Sequence, residues 1–270
     1  MLRAAALLLA LGASIEATAA ERIVTLAPHL AELVCAAGAC DELVGVSARS
    51  DYPVEVQKKP QIGDASALNL EAILALKPTL ILAWDGGTPV DRSARLRRLG
   101  LRVENVATHH LDDIASALIE IGRWTGHTGT AERAAATFRT ELDALRREHQ
   151  GDQRLQVVFQ IETTPAYTIN RDSPISEMIT LCGGDNVFAD LPKLAQPVGA
   201  EAMLARQPDV VLYGDDESPE AIARYWQRLP GRNPPRLQSV PADTITRATP
   251  RALDGARAIC AALRDTRKRR

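Results

Sequence analysis

The sequence is poor in aromatic residues and has no surplus of basic charge. Aromatics make up 4% of the 270 residues, and Lys plus Arg number 32 against 34 for Asp plus Glu. A net charge of -2 offers no basic excess with which to hold a phosphate backbone, so we expect no nucleic-acid partner. A site built on flat apolar side chains must draw on only three Trp, four Tyr and three Phe.

Recognisable catalytic signatures are also missing. The chain contains no G-x-S-x-G, no P-loop, no G-x-G-x-x-G after a strand and no H-E-x-x-H. We therefore expect a protein that is not an enzyme and that carries no cofactor. The competing hypothesis is an exported hydrolase whose Ser, His and Asp converge only in space.

The only long apolar run lies at the N-terminus. Arg3 precedes the run from Ala4 to Leu11, and a small-residue stretch ending at Ala19 follows it. This pattern predicts a signal peptide over residues 1–19, since the run is shorter than the roughly 20 residues that span a bilayer. No Cys follows at the position of a lipid anchor, so we expect a soluble protein of the periplasm.

Four cysteines remain after this segment: Cys35, Cys40, Cys182 and Cys260. An even number in an oxidising compartment favours disulfides, and the sequence by itself allows three pairings. A local pair between Cys35 and Cys40 is plausible because Gly38 can let the chain fold back. Neither a second C-x4-C pair nor a nearby His completes a zinc site, so we predict no metal.

An internal repeat predicts the fold class. The stretch from Leu70 to Trp84 recurs at Ala200 to Gly214, and AELVCAAG at Ala31 to Gly38 resembles SEMITLCG at Ser176 to Gly183. Each copy combines an amphipathic helix with a continuous apolar strand, which is typical of parallel sheets covered on both faces. The repeat predicts two similar α/β lobes with mostly parallel sheets and a ligand cleft between them.

A long amphipathic helix separates the two copies. The stretch from Thr130 to His149 carries one apolar stripe and is about 30 Å long at 1.5 Å per residue. We interpret it as a rigid connection between the lobes. The predicted organisation is an N-terminal lobe over residues 20–127, a connecting helix over 128–150 and a C-terminal lobe over 151–270.

The position of the strands indicates where a ligand would bind. In open α/β sheets ligands lie beyond the carboxyl ends of the strands. His29, Tyr52, Trp84 and the segment from Asp243 to Arg247 follow predicted strands. Tyr52 and Trp84 offer flat apolar faces with polar edges, which suits a large planar or amphipathic ligand.

Several strings together resemble a known family. RIVTLAPHLAELVCAAG, GVSARSDYP, LNLEAILALKPTLILAWDGG, LCGGDNVF and TPRALDGARAIC occur in the order and spacing of the helix-linked periplasmic binding proteins for iron siderophores, haem and vitamin B12, and most of all those for vitamin B12. The resemblance covers essentially the whole chain after residue 19. It implies a monomeric solute-binding component of an ABC importer that captures a corrinoid and delivers it to an inner-membrane permease.

The resemblance also assigns roles to individual residues. Tyr52 and Trp84 match positions that face the cleft, and Cys182 and Cys260 match the family's disulfide, which leaves Cys35 with Cys40. Glu71 and Glu201 match the acids that dock onto the permease. The segment that closes over the ligand from the second lobe comprises Asp243, Thr244, Ile245, Thr246 and Arg247.

One departure from the vitamin B12 pattern leaves the ligand open. Thr244 and Ile245 stand where some relatives carry an aromatic residue, so the cleft is less aromatic than in those proteins. Haem or a ferric siderophore is therefore an alternative ligand, with His29 as a candidate metal ligand.

Overall fold

The computed structural model describes residues 20–64, 67–229 and 234–269. The predicted signal peptide lies outside the described residues. The described strands are β1 (Ile23–Thr25), β2 (Leu43–Gly45), β3 (Leu80–Trp84), β4 (Val103–Val106), β5 (Leu155–Gln160), β6 (Tyr167–Ile169), β7 (Gly184–Asn186), β8 (Ala195–Pro197), β9 (Val210–Gly214) and β10 (Arg236–Val240).

Helices alternate with these strands. The α-helices are α1 (Pro28–Ala36), α2 (Leu70–Ala75), α3 (Val90–Arg98), α4 (Leu111–Thr125), α5 (Thr128–Glu148), α6 (Pro174–Leu181), α7 (Ala200–Ala205), α8 (Pro219–Gln227), α9 (Ala242–Thr246) and α10 (Ala252–Lys268). Short 3₁₀ turns cover Cys40–Glu42 and Val54–Lys58.

Two four-stranded parallel sheets confirm the two-lobed α/β fold. The first has the order β2-β1-β3-β4, and the second, read from its other edge, has the order β7-β5-β9-β10. In each sheet the lobe's first strand is central and its next two long strands follow on one side, so both lobes repeat one topology. The small antiparallel pair β6-β8 belongs to the second lobe only.

The repeat extends to the backbone at the helix-to-strand turns. Lys77 and Gln207, the residues before the matched prolines, have φ of 46° and 45°. This left-handed conformation is uncommon for residues other than glycine. The same turn therefore ends α2 and α7 and directs the chain into β3 and β9.

The last helix of the first lobe, α4, packs against the connecting helix α5. Leu111, Ile114, Ala115, Leu118 and Ile121 belong to the buried face of α4. Helix α5 has 21 residues and so is about 31 Å long. It packs along α4 and also contacts the second lobe, where Glu141 pairs with Arg257 of α10 at 2.6 Å.

Both disulfides named in the sequence analysis are present. Cys35, in the last turn of α1, pairs with Cys40, and Cys182 pairs with Cys260, which fastens the end of α6 to α10. No free cysteine occurs among the described residues. Within the same ranges, no helix has both the length and the apolar character that crossing a membrane requires.

Candidate ligand-binding site

Trp84 lies at the carboxyl end of a central strand. It is the last residue of β3 and is 36% exposed, and its backbone N–H donates to Thr88 Oγ1 at 2.9 Å. A Cβ at Gly87 would come within 1.8 Å of the Trp84 ring. The glycine in this turn is therefore required for the indole to lie against the backbone.

His29 supports Trp84 from the first turn of α1. The two rings meet edge to face, with centroids 5.0 Å apart. His29 is 6% exposed, and its Nε2 has no hydrogen-bond partner. Burial, and secondarily the charge of Arg247, lowers the pKa of His29 from 6.5 to about 4. The imidazole is therefore neutral at pH 7 and retains an unused polar atom.

Tyr52 lies on the same lobe and is contacted by the other one. Its side chain is 47% exposed, and the Arg251 guanidinium carbon lies 4.0 Å from the ring centroid. This is cation–π geometry. One face of Tyr52 is thus covered by an arginine from the second lobe, while the side chain as a whole stays about half exposed.

Arg247 joins the lobes through a cluster of carboxylates. From the second lobe it donates to Glu32 Oε1 at 3.0 Å and to both oxygens of Asp51, and it also pairs with Asp243 at 3.1 Å. Burial opposes the charged form, but the hydrogen bonds to Asp51 and Glu32 outweigh it and raise the pKa of Arg247 above its usual value. The hydrogen bond from Arg247 in turn lowers the pKa of Asp51.

The remaining residues of the Asp243–Arg247 segment differ in how exposed they are. Helix α9 exposes Asp243 and Thr246, and the hydroxyls of Thr244 and Thr246 donate to the carbonyls of Pro241 and Ala242. Ile245 is 1% exposed and packs against Gly255 in the core. The expectation that Ile245 faces the ligand is corrected, because the helical turn directs its side chain into the lobe.

Three residues of this site, Glu32, Asp51 and Arg251, were not predicted from the sequence. Glu32 is 4% exposed and accepts hydrogen bonds from Arg247 and from Arg251, the latter at 3.3 Å. The available signal was a charged residue on a buried helix, since such a carboxylate requires a partner. Its partners lie 215 and 219 positions away and come from the other lobe.

The two acids matched to permease docking lie on other helices than the residues described above. Glu71 and Glu201 are exposed in the first turns of α2 and α7, at equivalent positions of the repeat. Leu74, one turn after Glu71, is 42% exposed. Among the described residues, no group of three or more His, Cys, Asp or Glu is arranged to hold a metal ion.

The buried His29 predicts a loss of stability in acid. Between about pH 6.5 and pH 4 the unfolded chain protonates His29 and the folded protein does not, so the free energy of unfolding falls as the pH is lowered through this window. The full loss is roughly 3 kcal/mol. Urea unfolding of the protein and of a His29→Gln variant across this range measures it, and the same pH dependence in both would contradict it.

Comparisons with known proteins agree with this architecture. The family model for periplasmic binding proteins matches residues 23–227. The chain is 35% identical over 255 residues to a vitamin B12-binding protein of Vibrio cholerae, a match that covers 92% of this chain and 91% of the relative. It is 37% identical over 259 residues to a vitamin B12-binding protein of Yersinia pestis, with coverages of 96% and 91%.

Solved structures of periplasmic binding proteins share this fold. The crystal structure of the periplasmic vitamin B12 binding protein of Vibrio cholerae superposes with a TM-score of 0.82 at 34% identity, over 92% of this chain and 98% of that one. A periplasmic haem-binding protein from Roseiflexus sp. RS-1 superposes with a TM-score of 0.81 at 26% identity, over 92% and 99%.

Proposed function

Because the chain belongs to the periplasmic binding protein family, we propose that it captures vitamin B12 between its lobes and delivers it unchanged to the inner-membrane permease of an ABC importer. The observation that carries the proposal is the convergence of both lobes on one site. Arg251 of the second lobe lies over the ring of Tyr52 of the first, and Trp84 packs against His29, whose pKa is lowered in part by the charge of Arg247 of the second lobe.

The chemistry of this site suits a corrinoid. The ring of Trp84 and the open face of Tyr52 supply apolar contact with the macrocycle, and the exposed Asp243 and Thr246 supply polar contacts for its amide side arms. Arg247 already pairs with three carboxylates, so its main contribution is to fix the site's shape. Affinity then arises from a preformed cleft.

Haem is the second candidate ligand, and two observations favour it. His29 is neutral and buried, and its Nε2 lacks a partner, as required of an imidazole that binds a metal. The haem-binding relative from Roseiflexus also shares the fold at 26% identity. In this case Trp84, which covers His29, would have to move aside before His29 could reach the iron of the bound haem.

The protein is exported before it acts. Residues 1–19 direct export and are removed after Ala19, which leaves a monomer in the periplasm. There the protein carries its ligand to the permease without changing any covalent bond.

Equilibrium titration with cyanocobalamin, haem and a ferric siderophore tests the ligand. We expect saturation at one cyanocobalamin per chain and recovery of the ligand with an unchanged visible spectrum. Tighter binding of haem would establish the second candidate, and catalytic consumption of any ligand would instead support an exported hydrolase.

Replacing Trp84 tests the site itself. A Trp84→Ala variant should bind the ligand about 1–3 kcal/mol more weakly, since the indole face is lost from a desolvated contact. Leu99→Ala is the matched control, because Leu99 is also exposed but follows α3 at the end of the lobe opposite the cleft. Equal affinities of the Trp84→Ala variant and the unmodified protein in calorimetric titration would remove Trp84 from the site.

A further inference from the structure

Two glutamates occupy equivalent positions of the repeat, one of them buried and the other partly buried. Each accepts hydrogen bonds from groups outside its own lobe. Aligning AELVCAAG with SEMITLCG places Glu32 of α1 opposite Glu177 of α6. The first helix after the central strand carries the carboxylate in each lobe. The ligand site described above uses Glu32 but not Glu177.

Glu32 makes the first interlobe contact. Its side chain is 3% exposed, and Oε1 accepts from Arg247 at 3.0 Å and from Arg251 at 3.3 Å. Arg251 in turn lies over the ring of Tyr52. One carboxylate of the first lobe thus holds two arginines of the second, and through Arg251 it determines which face of Tyr52 stays open.

Glu177 makes the second interlobe contact. Its Oε2 accepts from the backbone N–H of Leu111, the first residue of α4, at 2.8 Å. Its Oε1 accepts from Arg146 of α5 at 3.4 Å. A carboxylate of the second lobe therefore satisfies a helix N-terminus that belongs to the first lobe, where negative charge is favoured.

We propose that Glu32 and Glu177 are paired positioning residues that hold the two lobes at the separation of a ligand-ready cleft. Each carboxylate belongs to a helix of one lobe and accepts hydrogen bonds from donors outside that lobe. The donors to Glu32 and the donors to Glu177 are different residues on different elements. Rotation of one lobe against the other must break at least one of them. The pair thus restricts the ensemble to conformations in which Tyr52 and Trp84 face the same space.

The expected loss of ligand affinity follows from the fraction of molecules that adopt the ligand-ready conformation. If loss of one contact reduces the fraction of molecules in the ligand-ready conformation to a tenth, the apparent ligand affinity falls about tenfold. The affinity readout rests on the proposed function, whereas the distance between the lobes does not depend on any ligand.

The experiment measures lobe separation directly. Spin labels on Lys58→Cys and Lys193→Cys, which are exposed residues of the two lobes, report the distance distribution of the ligand-free protein by pulsed electron paramagnetic resonance. Glu32→Gln and Glu177→Gln should each broaden this distribution and weaken cyanocobalamin binding about tenfold. Glu177→Gln keeps the test valid if Glu32→Gln folds poorly, because Glu177 is 28% exposed.

Matched controls distinguish positioning from general stability. Glu42 pairs with His127 at 2.8 Å and Asp152 pairs with His149 at 2.9 Å, and neither contact includes Glu32 or Glu177. Glu42→Gln and Asp152→Asn should lower the melting temperature but leave distances and affinity unchanged.

Three outcomes would overturn the inference. The first is an unchanged distance distribution in both test variants, the second is broadening in only one of them, and the third is equal broadening in the controls. Failure of the unmodified protein to bind any of the three titrated ligands would refute the proposed function while leaving the distance result standing.

Discussion

Removal of the Cys182–Cys260 disulfide should cost about twice as much stability as removal of the Cys35–Cys40 disulfide. The sequence separations are 78 and 5 residues. Closing a longer loop removes more conformational entropy from the unfolded chain, which gives about 4 kcal/mol for the first bond and about 2 kcal/mol for the second. A loss near 4 kcal/mol is a large share of the roughly 5–15 kcal/mol that stabilises a typical protein.

Urea unfolding of two double variants measures this difference. One variant carries Cys182→Ala with Cys260→Ala, and the other carries Cys35→Ala with Cys40→Ala. Alanine is preferred to serine because Cys182 and Cys260 are buried, and an unpaired hydroxyl there would add its own cost. Equal losses in the two variants would show that loop length does not determine the contribution of these disulfides.

The duplicated fold could be predicted because it depends on local patterns. Helix and strand periodicities occur within single copies of the repeat, and matched prolines at positions 78 and 208 mark the same turn. The extent of β1 was less evident, since the apolar run continues beyond it. The strand ends at Thr25 because the chain turns and Pro28 begins α1, where proline is well tolerated.

The site was only partly predictable, because it forms where the lobes meet. Tyr52 and Trp84 could be predicted to follow strands and to be exposed, and Trp84 is the last residue of β3. The pairing of Glu32 with Arg247 and Arg251 depends on contacts across more than 200 residues, which periodicity does not report. Ile245 shows the same limit, since its orientation is set by one turn of α9 packed against Gly255.

The cysteine pairing illustrates how a resemblance adds to local reasoning. Composition and compartment indicate disulfides but leave three pairings open. The resemblance selects the pairing that the structure contains, in which the end of α6 is joined to α10.

Charge reversal at Glu71 and Glu201, the two acids proposed to dock onto the permease, should abolish transport and leave ligand binding intact. Glu71 and Glu201 are exposed at equivalent places on the two lobes, as a two-fold symmetric permease would require. If each meets a basic residue of the permease, Glu71→Lys with Glu201→Lys brings like charges together at two contacts. Such contacts cost on the order of several kcal/mol, and each 1.4 kcal/mol is about tenfold in affinity.

The two measurements separate docking from capture. Uptake of labelled cyanocobalamin in cells that depend on this protein should fall to about 1%, while the purified variant should bind the ligand with unchanged affinity because both acids are exposed and lie on other helices than the proposed ligand-binding residues. Glu132→Lys with Asp265→Lys is the matched control, since it makes the same change of net charge at exposed positions on α5 and α10. Normal uptake by the docking variant, or an equal loss in the control, would show that these glutamates do not form the permease contact.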